Sequence, residues 1–141
     1  MLSFGWKNGP AAGAGRGFVS VTCSKVHSPL TLPSLSMTAW RLRQHHWPST
    51  PGGVRVRSAV DLRRMRAWTV SLWTSEQALR EFLRSPQHRA VVSPFVGKIS
   101  IEHLGWTTDR FDDPGMWRRA LHTFRTAPAE SLTGPARRRA S

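Results

Sequence analysis

An imidazole placed just past a Ser-Pro helix start is the group in this chain best suited to proton transfer. His88 follows Ser85-Pro86, shortly after an aromatic run ending at Trp73, so its ring can face a sheet and act as a general base or as a haem ligand. A purely structural role, bonding a backbone group and tying a short helix to the sheet, is the alternative and is slightly favoured for a lone histidine. His103 alternates with Ile99 and Ile101, which aims it into the same cavity if that face is the inner one. Half-buried polar residues on strands are commonly just satisfied by a neighbour, so His103 has a structural alternative too. Trp68 and Trp73 fall on opposite faces of one strand, so at most one lines a cavity while the other packs as core. The candidate site is thus His88 as the catalytic group, with Trp73, His103 and Trp68 as substrate contacts.

Other chemistries lack their residues. His45 and His46 are adjacent near a helix end, diverge by about 100° on a helix and cannot clasp one metal together. No His-x-x-x-His, Cys-x-x-Cys or carboxylate-histidine spacing occurs, so no dedicated metal site is expected. Cys23 is a nucleophile only beside a base, and its place in a strand favours a buried thiol. Gly13-x-Gly15-x-Gly17 precedes a strand instead of following one, the wrong order for a phosphate loop. No nucleophile elbow and no acid pair suited to glycoside chemistry is present.

The elements that must position these residues follow from period and punctuation. Gly17 to Val26 reads as a strand ended by Ser28-Pro29. Leu35, Ala39 and Leu42 recur at helical spacing over Ser34 to Trp47, closed by Pro48 and Pro51-Gly52-Gly53. Val54, Val56, Ser58 and Val60 alternate with Arg55, Arg57 and Ala59 as a strand, and Met65 to Trp73 pairs with it as a hairpin. Thr74-x-x-Gln77 fits a capping box opening a helix that buries Ala78, Leu79, Phe82 and Leu83. Ser85-Pro86 caps and opens a second short helix through Val92. Lys98 to Trp106 alternates as a fourth strand, and Asp113-Pro114 starts a last helix burying Trp117, Ala120, Leu121 and Phe124.

The whole chain has 141 residues, the size of one domain, and 39% hydrophobic content with seven Trp and six Phe argues against disorder throughout. Residues 1–16 read as an unstructured Gly- and Ala-rich leader, residues 126–141 as a mobile basic tail, and 17–125 as the folded unit. The lone cysteine closes no intrachain disulfide, no segment reaches the roughly 18 consecutive apolar residues of a membrane span, and a soluble cytoplasmic protein is expected. Net charge is +13, and because only Lys7, Lys25 and Lys98 are lysine the excess is arginine. Such a field attracts nucleic acid or acidic ligands. The arginines are scattered, however, and no helix-turn-helix, zinc-finger or RNA-binding signature accompanies them, so diffuse basicity is the favoured reading.

Strand, helix, strand, strand, helix, strand is the split βαβ order of an α+β, ferredoxin-like fold: both crossovers lay helices on one face of a four-stranded antiparallel sheet, with a C-terminal helix appended. The other face then carries bulky side chains and no cover, so a two-fold homodimer is expected, its inter-sheet space being core or ligand cavity. Trp68-Thr69-Val70-Ser71-Leu72-Trp73, Ala78-Leu79-Arg80-Glu81-Phe82 and Ser85-Pro86-Gln87-His88-Arg89-Ala90, continued by Trp106 and Trp117, resemble the core motif of an uncharacterised bacterial family. That family lies in the dimeric α/β-barrel superfamily, which includes the antibiotic-biosynthesis monooxygenases. The pattern is also similar to spheroidene monooxygenase, and the likeness covers residues 18–125. It departs at Phe95-Val96-Gly97-Lys98, where the pattern has an acid.

The resemblance implies this fold, a homodimer, and a cavity for a hydrophobic small molecule, cofactor-free or haem-bearing. The leading functional reading is a monooxygenase-like enzyme acting on an apolar or aromatic metabolite. The alternatives are a non-catalytic dimer that binds a hydrophobic metabolite or partner, and a basic nucleic-acid accessory protein. Fold alone does not choose among them.

Overall fold

The computed structural model describes residues 2–111, 115–119 and 122. In chain order its elements are strands β1 (Leu2–Ser3), β2 (Lys7–Asn8) and β3 (Gly17–Val26) and helix α1 (Leu32–Arg41). The hairpin β4 (Gly53–Asp61) and β5 (Arg66–Trp73) follows, then helices α2 (Glu76–Arg84) and α3 (Pro86–Val92), and strand β6 (Ile99–Thr108). The main strands run antiparallel in the order β4-β5-β3-β6, as two helical crossovers require, and the α+β ferredoxin-like arrangement is the one read from the sequence. Among the described residues no helix is long and apolar enough to cross a membrane.

Alternation along the central strands divides the sheet into two unlike faces. On one face Val19, Val21, Cys23, Trp68, Val70, Leu72, Leu104 and Trp106 form a buried apolar cluster. The other face of β3 carries Ser20, Thr22 and Ser24, paired across to Ser71, Thr69 and Ala67 of β5 and to Gly105, His103 and Ile101 of β6. The first face fills its own volume. The second is floored with small side chains, and the helices α1 to α3 lie over it.

Four expectations need correction. Residues 1–16 are not a leader without structure: β1 and β2 pair with the outer edge of β4, so the sheet has six strands instead of four. Backbone bonds from Gly9 to Val54 and from Ala11 to Gly53, both 2.9 Å, continue the attachment. Strands of two residues show no period, so composition alone described this segment. Its attachment satisfies an edge that would otherwise present unpaired backbone groups.

The apolar face is also not bare. Trp6, Ala11, Ala14 and Phe111 pack against it together with the buried Met116 and Trp117 of the helical residues 115–119. Three arginines clamp this cover: Arg57 stands 4.5 Å over Trp117, Arg119 4.6 Å over Trp106, and Arg55 5.6 Å over Trp6. Val19, Val21, Val70 and Leu72 reach 0% exposure within the single chain, so burying this face calls for no second copy.

The first helix stops short of the expected Trp47. Regular α-helix ends at Arg41 and continues as a π-helical turn, Leu42–His46, and a 3-10 turn, Trp47–Ser49. These turns bring the Trp47 indole under the layer, where its N–H donates to the Lys7 carbonyl at 3.0 Å. At α2 the cap is Ser75, whose Oγ accepts from the Ala78 N–H, and not Thr74. Thr74 is still held by the sheet, its N–H bonded to the Gly52 carbonyl at 3.0 Å. The expected tail, the Asp113-Pro114 helix start, Ala120, Leu121 and Phe124 lie outside the described residues.

Candidate functional site

Small hydroxyl side chains under a layer of helices leave room, and a cavity of about 210 Å³ occupies it. Its floor is the Ser20, Thr22, Thr69 and Ser71 face of the sheet. Opposite Ser20, Gly105 leaves room for the Phe18 ring, which a methyl there would meet at 2.6 Å. One wall is a run of rings: Trp47 meets Trp73 edge-on at 5.2 Å, Trp73 meets Phe82 at 5.2 Å, and Phe82 meets His88 at 4.7 Å. The Trp73 indole is locked by donating to Ser71 Oγ at 2.8 Å, a bond buried from water.

His88 owes its position to the start of α3. Ser85 Oγ accepts from the His88 backbone N–H at 3.2 Å, and Pro86 occupies the first turn, where a missing donor costs nothing. The half-buried ring then sits against Phe82 on the cavity wall. Burial pushes its pKa below the ordinary 6.5, and a hydrogen bond to the Leu83 backbone opposes the shift. The net effect is a neutral imidazole at physiological pH. His103 enters from the sheet side, opposite Thr22 on β6, with Nε2 2.6 Å from Ser20 Oγ. Two imidazoles from separate elements therefore line one apolar-walled cavity, together with a row of hydroxyls. Such a set can take a proton from an acidic O–H or C–H and hydrogen-bond the anion that forms.

The structure brings His88, His103 and Trp73 to this cavity and leaves Trp68 out of its lining. Trp68 belongs to the cluster on the opposite face, because odd spacing along a strand separates it from Trp73. The cavity also lies elsewhere than expected, beneath the helices of one chain and not between the sheets of two. Sequence reasoning missed Ser20 and Ser71. Their signal is the regular alternation of small hydroxyls with valines in Val19-Ser20-Val21-Thr22, which marks a sheet face too slender to fill its space.

The discounted residues are placed as follows. His45 packs edge-on against Trp40 while His46 Nδ1 meets Gln87 Nε2, so the neighbouring rings diverge. Among the described residues no three His, Cys, Asp or Glu side chains gather as a metal site. Cys23 is buried on the opposite face, its pKa pushed up to about 11 by burial, with Arg66 opposing and Glu102 adding to the rise. It is a protonated thiol at neutral pH and no nucleophile. A haem does not fit the cavity described, whose 210 Å³ falls below the roughly 300–1,000 Å³ of pockets for drug-sized ligands.

No family model matches the chain, and no curated protein matches it in sequence. Solved structures do match. A protein described as a monooxygenase from Lactobacillus acidophilus NCFM superposes with a TM-score of 0.55 at 11% identity, over 70% of this chain; the match spans only 45% of that protein's length. SnoaB, a cofactor-independent oxygenase from Streptomyces nogalater, matches with a TM-score of 0.52 at 22% identity over 72% of this chain and 99% of its own. An uncharacterised ferredoxin-fold protein related to antibiotic-biosynthesis monooxygenases, from Listeria monocytogenes 4b F2365, gives 0.53 at 15% identity over 79% of this chain and 63% of its own. Identities this low establish a common fold and leave chemistry to the site. The structural neighbours of this chain are accordingly antibiotic-biosynthesis-monooxygenase-like proteins of the ferredoxin fold.

Proposed function

We propose that this chain is a monooxygenase-like enzyme that admits a compact apolar or aromatic molecule to the cavity beneath α2 and α3 and oxidises it with dioxygen. The observation that carries the reading is the meeting of His88 and His103, from α3 and β6, in one apolar-walled cavity. The neutral His88 ring accepts a proton from the substrate. The His103–Ser20 pair stands across the cavity as hydrogen-bonding support for the resulting anion. Such an anion is electron-rich enough to reduce dioxygen: a substrate methylene becomes a carbonyl, one oxygen atom entering the product and the other leaving as water with the two hydrogens removed. This balance requires no external reductant. The likeness to SnoaB, a cofactor-independent oxygenase, agrees with it.

Trp73 and Phe82 supply the wall against which a flat ring packs. The test is dioxygen uptake and product mass with a panel of one- and two-ring phenols and hydroquinones. The expected result is substrate-dependent uptake that falls by about 10²–10⁴ in His88→Ala and is weakened in His103→Ala, with folding intact. Ring compounds that bind without uptake would overturn the enzyme and leave a binding protein for hydrophobic metabolites.

A further inference from the structure

A second cavity, of about 170 Å³, lies between α1 with its π-helical extension and the outer strands β4 and β5. Ala39 and Trp40 from the helix and Val60 and Leu62 from the hairpin make its walls apolar. One charged side chain lines it. Arg43 stands on the π-helical turn, and its Nη1 has no solvent-exposed surface and no hydrogen-bond partner among the described residues. Burial draws its pKa below the ordinary value. No carboxylate side chain lines the cavity.

A buried donor left unsatisfied costs about 1–3 kcal/mol, and an acceptor entering the cavity would remove that cost at Arg43 Nη1. The mouth says what accompanies that acceptor. Phe4, Trp40 and Leu62 all line this cavity and remain 45%, 49% and 55% exposed, a cluster of large apolar side chains without cover. On the floor, the Ser58 and Thr69 hydroxyls hydrogen-bond each other at 3.5 Å, which leaves one O–H of the pair to face the cavity. We propose that this cavity binds an apolar monocarboxylate, its carboxylate paired with Arg43 and its hydrocarbon laid against Trp40 and Leu62. A planar guanidinium suits a carboxylate in a way that a neutral head group does not. The site adjoins the histidine cavity, sharing Ala39 and Thr69 with it, but does not depend on the reaction proposed there.

Calorimetric titration of the full chain with octanoate and, in parallel, with 1-octanol tests the proposal, using Arg43→Met and Ser36→Phe as variants. Ser36 lines this cavity and not the histidine cavity, so a phenyl ring there plugs one alone. Octanoate should bind the intact chain, with octanol, Arg43→Met and Ser36→Phe each weakening binding by about tenfold or more. Octanoate that fails to bind up to roughly millimolar concentration, that is matched by octanol, or that still binds the plugged variant overturns the site. If Arg43→Met does not fold, the octanol comparison and Ser36→Phe decide the matter.

Discussion

His88 takes its charge state from its surroundings. The native ring, buried against Phe82, holds its proton less tightly than the unfolded chain does. The native state therefore binds fewer protons at this position, and stability must rise with pH across the titration. The contribution is fully present above the unfolded value of about 6.5 and is lost as pH falls through it toward the lowered native value. Denaturant midpoints at about pH 7.5 and about pH 5 should show the intact chain losing more stability than His88→Gln; equal losses would place the acid sensitivity elsewhere. The same shift keeps His88 a free base at neutral pH, as the proposed proton abstraction requires. His88, His103 and Trp73 were legible in the sequence because a Ser-Pro cap and a period of two fix where such side chains point. Ser20 was not, because its partner His103 lies 83 positions away and only strand pairing reveals that distance closed.

Helix ends, more than helix interiors, decide what reaches the cavity. Ser85 closes α2 by donating to the Phe82 carbonyl at 2.7 Å and opens α3 by accepting from His88 N–H at 3.2 Å. One hydroxyl thus sets the angle between two helices and aims both Phe82 and His88. Ser85→Ala should lower stability by about 1 kcal/mol, the usual cost of a lost N-cap. It should also reduce activity more than that loss implies, because the imidazole is released from its fixed start. A thermal scan paired with uptake rates checks this; reduced stability with full activity would show that His88 is positioned by packing alone. The Ser85-Pro86 start was readable from residue types. The cap of α2 was misplaced by one position because Thr74 and Ser75 are both good caps, and only the Thr74–Gly52 backbone bond decides between them. The four main strands were readable for the same reason as the histidines, since eight or more alternating residues leave a pattern that two-residue strands cannot.

At the scale of the molecule, part of the arginine excess is structural. Arg55 and Arg57 hold Trp6 and Trp117 over the apolar face and Arg119 stands over Trp106 of the face itself, so those charges seal a cover made by the two ends of the described chain. A second copy is called for only where that face is open, and its closure is not legible in the sequence because the covering segments have no period of their own. Two effects of the N-terminal segment can be separated. Deleting residues 2–14 removes the Trp6, Ala11 and Ala14 cover and also bares the outer edge of β4. Trp6→Ser removes part of the cover while the backbone pairing stays. Loss of one large apolar contact is worth about 1.5–3 kcal/mol at full burial, so both variants should lower the urea midpoint. Only the deletion should add concentration-dependent association in sedimentation velocity, through the bared edge. Association of Trp6→Ser to the same degree would instead make the apolar face the sticky surface, and unchanged behaviour of the deletion would show that the segment seals neither.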